Sequence, residues 1–407
     1  MREIAGPPPA FDHFAHRSSA ESDQAWKEFR QCCPVGWSEA NGGFWVVAGY
    51  EEVAAAFRDW ESFSSARSDP ERTSLSISGN AMPVLYPEEL DPPEWNPMRR
   101  VLARMLSPQA AARLRPRVAY WVTHAIDQVI ERGTCEFADD LTCRVPESVA
   151  LEMLGFDRAE WTRISGAFHH MAAYANGTLE YAATLRELRW VAEVVQAELT
   201  ARLATPRDDG MTAIVHHDID GERISLDAAA AVTRLVVGGG VDTSTSVSSA
   251  ALIHLSRHRA DRQRLLDDPS LIDAAVEEFL RYYPPARTHG RVVARDVTLA
   301  GCQMHKGDRA LLSEVSANRD EAEFPDADRF VIDRFPNRHV TFGMGLHRCP
   351  GSHLARLELR ELLTQVLARM PDFHIDEDGI VEYPNWSMIG GWGRIPATFT
   401  PGPRLGD

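Results

Sequence analysis

One stretch constrains this chain more than any other: Phe342-Gly343-Met344-Gly345-Leu346-His347-Arg348-Cys349-Pro350-Gly351, a lone cysteine in a glycine-punctuated loop ahead of an amphipathic run. Gly343 and Gly345 admit positive φ and carry no side chain, so a flat ligand can lie against the loop. Proline is favoured at the first helical position. The spacing therefore predicts Cys349 at the N-cap of a helix over 350–370 that carries Leu354, Leu357 and Leu359. Unpaired N–H groups and the positive dipole end at such a place lower a thiol pKa. A free cysteine taken alone is more often a small core side chain, so the residues around it must decide.

The rest of the composition bounds the answer. The chain has 407 residues, 44% of them apolar and 25% charged, as in globular proteins that bury a sizeable core. Its formal net charge of -16 disfavours nucleic acid and anionic lipid as partners. Met1 to Pro9 holds no apolar signal core, and no window approaches the roughly 20 apolar residues that cross a bilayer. Six cysteines without paired CxxC spacing make neither a disulfide scaffold nor a structural zinc site. The expectation is a cytoplasmic protein that does not bind membranes.

No repeat and no interdomain linker interrupts the chain, so residues 1–407 are expected to form one domain. Helical periodicity covers 50–59, 97–104, 108–132, 145–155, 158–175, 180–204, 226–258, 270–282 and 350–370. Strand-like runs lie at 44–47, 292–299, 310–315 and 380–400, which predicts a mainly helical fold with small peripheral sheets. Residues 317–338, with Pro, Asn and Asp throughout, read as an ordered meandering loop.

The decade around Cys349 is similar to FxxGxxxCxG, the haem-binding signature of the cytochrome P-450 family. Further family landmarks follow in order over nearly the whole chain. The resemblance implies the cytochrome P-450 fold, with haem b between the long central helix and the cysteine-loop helix. It implies Cys349 as the iron ligand and Phe342, Gly343 and Gly351 as cofactor-binding residues. A thiolate ligand pushes electron density onto iron and favours O–O cleavage. The family's E-x-x-R falls on Glu278 and Arg281, a carboxylate and a guanidinium on one helix face. The resemblance implies a structural role for that pair, locking the meander.

Within the longest helical pattern stands Val236-Val237-Gly238-Gly239-Gly240-Val241-Asp242-Thr243. Each helical glycine costs about 0.8–1 kcal/mol relative to alanine, and a flat cofactor approaching the backbone would account for three. A dinucleotide fingerprint fails, since Thr243 replaces its third glycine and no strand precedes it. The family's oxygen-activation motif maps instead onto Gly239, Gly240, Asp242 and Thr243. A threonine hydroxyl can bond back to the carbonyl four residues earlier, here that of Gly239, and open the helix. The resemblance implies that Thr243 holds iron-bound dioxygen and its water while Asp242 relays protons inward, O2 being the co-substrate.

For the haem propionates the resemblance implies His347, Arg291 and Arg99. The family's histidine after Asp91-Pro92-Pro93-Glu94 is Trp95 here, with one N–H to donate. It also implies a substrate pocket drawing on Ile77, Met82, Leu85, Phe168, Val236, Arg287, His289 and Trp392, although each apolar member fits a core equally well. His254 and His258, four apart, lack an HExxH glutamate and are assigned to no metal, as are His169-His170 and His216-His217.

These residues together predict a haem-thiolate monooxygenase that hydroxylates a small apolar organic substrate of terpenoid, aromatic or secondary-metabolite type. The chain carries no flavin or iron-sulfur signature, so a separate ferredoxin and NAD(P)H-dependent ferredoxin reductase are expected, docking near Arg104, Arg113, Arg348 and Arg360. A peroxide-using peroxygenase or isomerase and a non-catalytic haem gas sensor remain as alternatives. Asp242 with Thr243 argues against the first, and the absence of a signalling domain against the second.

Overall fold

The computed structural model describes residues 11–16, 18–69, 72–77, 83–174 and 178–406. Its helices are α1 Ser19–Cys32, α2 Tyr50–Arg58, α3 Trp95–Leu106, α4 Pro108–Asp127, α5 Arg144–Leu154, α6 Trp161–Ala173, α7 Leu179–Ala204, α8 Gly210–Val215, α9 Leu226–Arg257, α10 Arg259–Asp267, α11 Ile272–Tyr282, α12 Glu314–Ala317 and α13 Ser352–Arg369. Strands are short and few, so the protein is mainly α with small sheets. The chain divides into two compact units, one of Met1–Trp95, Glu277–Cys349 and Pro384–Gly390, the other of Asn96–Val276, Pro350–Tyr383 and Gly391–Asp407.

The first unit is built on a five-stranded sheet in the order Val35–Ser38, Phe44–Val47, Arg309–Ser313, Thr288–Val293, Phe63–Ser64. Only the pair 44–47 and 309–313 runs parallel, with Leu311 opposite Val46. Strand alternation sends Phe44, Val46 and Leu311 to one face, where Trp26 and Phe29 of α1 cover them. Val47, Ala310 and Leu312 go to the other, against Val53 and Phe57 of α2.

The second unit is helical, with α9 at its centre packed by α5, α6, α7, α8 and α13. Its 32 residues span about 48 Å at 1.5 Å per residue. Ser225 caps its start by accepting from Ala228 N at 3.2 Å. A three-stranded sheet, His374–Ile375, Pro396–Thr398 and Thr134–Glu136, lies at the periphery.

Every helix expected from periodicity is present, with ends shifted by a few residues. Four are additional: α1, α8, α10 and α12. They are short or polar; α10 buries only Arg262 and Leu265 and so leaves almost no apolar stripe to read. The expected strand at 292–299 is two. Thr288–Val293 joins the large sheet, while Val297–Leu299 pairs with Cys302–Met304 across a turn in which Ala300 and Gly301 have φ of 50° and 82°. The run at 310–315 ends at Ser313, whose hydroxyl accepts from Ser316 N and starts α12.

Candidate active site

Within the first unit, the cysteine loop is closed by Cys349 N donating to Phe342 O and Gly343 N donating to Val340 O, both at 2.8 Å. Gly343 and Gly345 have φ of 62° and 66°, as their placement requires. Their uses differ. A Cβ at Gly345 would lie 2.7 Å from Phe57 O and 2.9 Å from Arg58 Cα, so this glycine admits α2 rather than a ligand. At Gly343 a Cβ would meet nothing nearer than 4.0 Å. The helix after the loop starts at Ser352 with Gly351 as its N-cap. Cys349 therefore stands two residues before the N-cap and not at it, because Pro350 and Gly351 form a turn first.

Glu278 and Arg281 on α11 form a bidentate pair at 2.7 and 2.8 Å, both side chains fully buried. The rest of each group reaches the meander. Arg281 donates to the carbonyls of Asn318, Ala327 and Arg329 at 2.8–2.9 Å. Glu278 accepts from Val331 N, Arg334 Nε and Asn337 Nδ2 at 2.8–3.2 Å. One ion pair thus fixes an irregular segment that has no helix or strand of its own.

The basic residues expected at the propionates fall into a second polar group of the same unit. His347 Nε2 lies 3.3 Å from Asp91 Oδ1, and Asp91 also accepts from Ser64 Oγ and Ser65 N. Asp91 belongs to the Asp-Pro-Pro-Glu motif, which thereby orients the loop histidine. Trp95 meets His347 edge-on, with ring centroids 6.1 Å apart. Arg291 is 4% exposed, and its only side-chain hydrogen bond among the described residues goes to Gly290 O at 2.7 Å. Burial lowers its pKa, against which Glu314, Glu88 and Asp91 act from a distance. A buried guanidinium without a bonded carboxylate fits a propionate-bearing macrocycle.

His289 and Arg287 do not stand as free substrate contacts. His289 Nδ1 is bonded to Glu314 Oε1, and Nε2 lies 3.7 Å from Glu88 Oε1. Burial opposes its charge, yet the two carboxylates raise its pKa to about 10. Arg287, 4% exposed, is bonded to Asp23 and, at 3.0 Å, to Ser22 Oγ. Ile77 packs in the sheet core with Phe11, Phe29 and Leu311 rather than in a pocket. Leu85 is half-buried, its N–H held by Glu89 Oε2 at 3.1 Å. Met82 lies outside the described residues.

In the second unit the three glycines of α9 have three different surroundings. A Cβ at Gly238 would collide with the Phe168 ring at 2.8 Å, so Phe168 of α6 packs on the helix backbone. At Gly240 it would touch Ala150 of α5 at 3.4 Å. Gly239 alone is exposed, with nothing within 4 Å of an added Cβ. Only this one leaves room for the flat group that all three were expected to admit. Thr243 Oγ1 donates back to Gly239 O at 2.8 Å, as its position predicts, while α9 stays helical throughout.

Two polar contacts of α9 escaped the sequence reading. Asp242, its side chain 3% exposed, has Oδ1 3.1 Å from His169 Nδ1. Ser244 Oγ donates at 2.7 Å to Oε2 of Glu358 on α13, a carboxyl that burial raises to about 8. Neither partner belongs to a local motif, since each arrives from a distant helix. Val236 and Trp392 are both 7% exposed, and Arg99 is half-buried on α3. No group of three His, Cys, Asp or Glu side chains among the described residues could hold a metal ion, and His254 is bonded instead to Asp261 at 3.0 Å.

Comparison with known proteins gives the family. The family model for Cytochrome P450 matches residues 188–379. A steroid C26-monooxygenase of Mycobacterium tuberculosis is 30% identical over 393 residues, 96% of each protein. The mycinamicin IV hydroxylase/epoxidase of Micromonospora griseorubida is 33% identical over 348 residues, 81% of this chain and 83% of that protein. Among solved structures, a Mycobacterium marinum cytochrome P450 in complex with pseudoionone superposes with a TM-score of 0.86 at 25% identity, covering 94% of this chain and 95% of that one. A full-length relationship to named P450 monooxygenases, joined to the cysteine loop and the acid-alcohol pair on α9, places the chain in the cytochrome P450 family.

Proposed function

We propose that this P450 monooxygenase hydroxylates an apolar organic molecule of terpenoid, steroid or macrolide size, using haem b, dioxygen and electrons from a separate ferredoxin and its reductase. The observation that carries the reading is the conjunction on α9 of an exposed, unobstructed Gly239 with Thr243 bonded to its carbonyl and a buried Asp242 beside it. The relatives named for a steroid and for mycinamicin IV, and the pseudoionone-bound neighbour, support the substrate class.

Haem, when bound, supplies the iron at which dioxygen is reduced and its O–O bond broken. Cys349 would hold the iron, with Phe342, Gly343 and Gly351 shaping the loop around it. Arg291, His347 and Arg99 would hold the propionates. Thr243, whose hydroxyl hydrogen is directed to Gly239 O, offers its oxygen lone pairs to a water. Asp242 is the acid next to it. Val236, Leu85 and Trp392 remain candidates for substrate contact.

Arg104, Arg113 and Arg348 are exposed and suit an acidic ferredoxin. Arg360 is bonded to Asp273 and contributes less net charge than expected. We place the protein in the cytoplasm as a single working domain; all six cysteines are free, and among the described residues no helix is long and apolar enough to cross a membrane. The test is the reduced carbon monoxide difference spectrum of the haem-loaded protein, followed by a screen of steroids, terpenoids and macrolides for low-to-high-spin shifts. A thiolate-type Soret band that disappears in Cys349→Ser is expected. A band at the position of imidazole-ligated haem would refute the assignment.

A further inference from the structure

We propose that His169 is the gate through which protons reach Asp242, a positioning residue that holds the carboxylate and recharges it from solvent. The inference rests on the reading of Asp242 as the proton relay.

Among the described residues, Asp242 has one hydrogen-bond partner, His169 Nδ1 at 3.1 Å. No arginine or lysine pairs with it. His169, on α6, is in turn met by Tyr383, whose Oη lies 3.0 and 3.1 Å from the two ring nitrogens. The Asp242 side chain is 3% exposed and that of His169 is 20% exposed, so the imidazole is where this short chain of groups reaches water. The other titratable groups around His169 are Asp139, Glu147 of α5 and His170 on its own helix, while Cys143 stands near Tyr383 and Asp242. Burial opposes a charge on the ring, but its bond to Asp242 and the charges of Asp242, Asp139 and Glu147 raise its pKa above 6.5.

The residue type is what separates a gate from a clamp. Arginine would neutralise Asp242 equally well, yet cannot release its proton in a protein. An imidazolium can. The Nδ1–H bond breaks as an O–H bond forms on Asp242 Oδ1, leaving neutral imidazole and a neutral carboxylic acid. Water then returns a proton to the ring, directly or through Tyr383, whose Oη accepts one proton while its own passes on. Asp242, released from the ion pair, is free to turn and deliver. Charge is conserved at each transfer and no oxidant is involved.

The experiment uses haem-loaded protein. In the reduced, carbon monoxide-bound form, histidine NMR should show His169 titrating above 6.5 in the wild type and lower in Asp242→Asn. Single turnovers then give the reduced, dioxygen-bound protein one further electron from reduced ferredoxin and follow its return to the ferric spectrum, in H2O and D2O across pH. Both His169→Asn and His169→Arg should be slowed about tenfold, less than the roughly 10²–10⁴-fold of a direct acid–base group because His169 acts through Asp242. Both should lose the alkaline fall in rate that the wild type shows through the His169 pKa, and both should keep the wild-type carbon monoxide spectrum.

Wild-type rates in His169→Arg would show that the histidine only neutralises Asp242, and would overturn the gate. So would an unchanged pH profile in His169→Asn. Should Asp242→Asn itself turn over at the wild-type rate, the relay reading fails and takes the gate with it. A slow Asp242→Asn beside normal His169 variants refutes the gate alone.

Discussion

Two buried acidic sites, Glu278 with Arg281 in the first unit and Asp242 in the second, hold their charge in opposite ways. In the first, Glu278 and Arg281 are fully buried and every polar edge is bonded, to each other and to six positions of the meander. In the second, Asp242 has one partner at 3.1 Å, and that partner is a partly exposed histidine. A guanidinium-carboxylate pair with all its valences used stays charged and fixed. A lone carboxylate-imidazole contact can change protonation near neutral pH. The first arrangement suits a scaffold that fixes the meander, and the second suits proton traffic.

Breaking the scaffold should have the largest effect. Arg281→Ala leaves Glu278 buried without its partner and frees three meander carbonyls; a loss of about 3–5 kcal/mol in denaturant unfolding is expected, together with failure to retain haem. Asp242→Asn, by contrast, should unfold like the wild type. Its product formation should fall about a hundredfold or more, the scale of a lost acid-base group, as measured by turnover with the substrate the spin-shift screen identifies. Equal stability losses in the two variants would erase the contrast between the units.

Gly345→Ala sharpens the scaffold side. A left-handed backbone costs an L-residue about 1–2 kcal/mol, and the new methyl would press on Phe57 O at 2.7 Å, so a lower midpoint in thermal unfolding and weaker haem retention should follow. The smallest expected effect concerns Glu358, a buried carboxyl of the second unit held by Ser244. Its folded pKa of about 8 lies above the unfolded value, so the folded state binds the extra proton. Stability should therefore decline as pH rises from about 4.5 to about 8, and Glu358→Gln should flatten that slope in denaturant titrations. On the scaffold side His289 runs the same direction in another window. Its charge-dependent contribution is full below 6.5 and is lost as pH climbs through about 10.

What the sequence made legible is what local spacing encodes. The cysteine loop, the Glu278–Arg281 pair, and the Thr243 bond to Gly239 each join residues at most seven apart, and all are present. The long periodic helices were legible for the same reason. Partners that arrive from elsewhere were not. His169 meets Asp242 across 73 positions, and Ser244 meets Glu358 across 114. Nothing around His169 distinguishes it from its neighbour His170 until α6 is docked on α9. The partners of two residues expected near the substrate were illegible for the same reason: Arg287 finds Asp23 and Ile77 finds Phe11 only after the sheet has assembled.

The adjacent glycines of α9 carry a consequence for how this enzyme could diverge. Gly238 is locked by an aromatic ring, so a side chain there is opposed by the fold itself, whereas a methyl at Gly240 would rest in ordinary contact with Ala150. Gly239 lies between them with empty space above it. A lineage can gain or lose a methyl group there without disturbing its architecture. Change at that one codon is therefore separable from the folding constraint that the Phe168 ring places on Gly238 beside it.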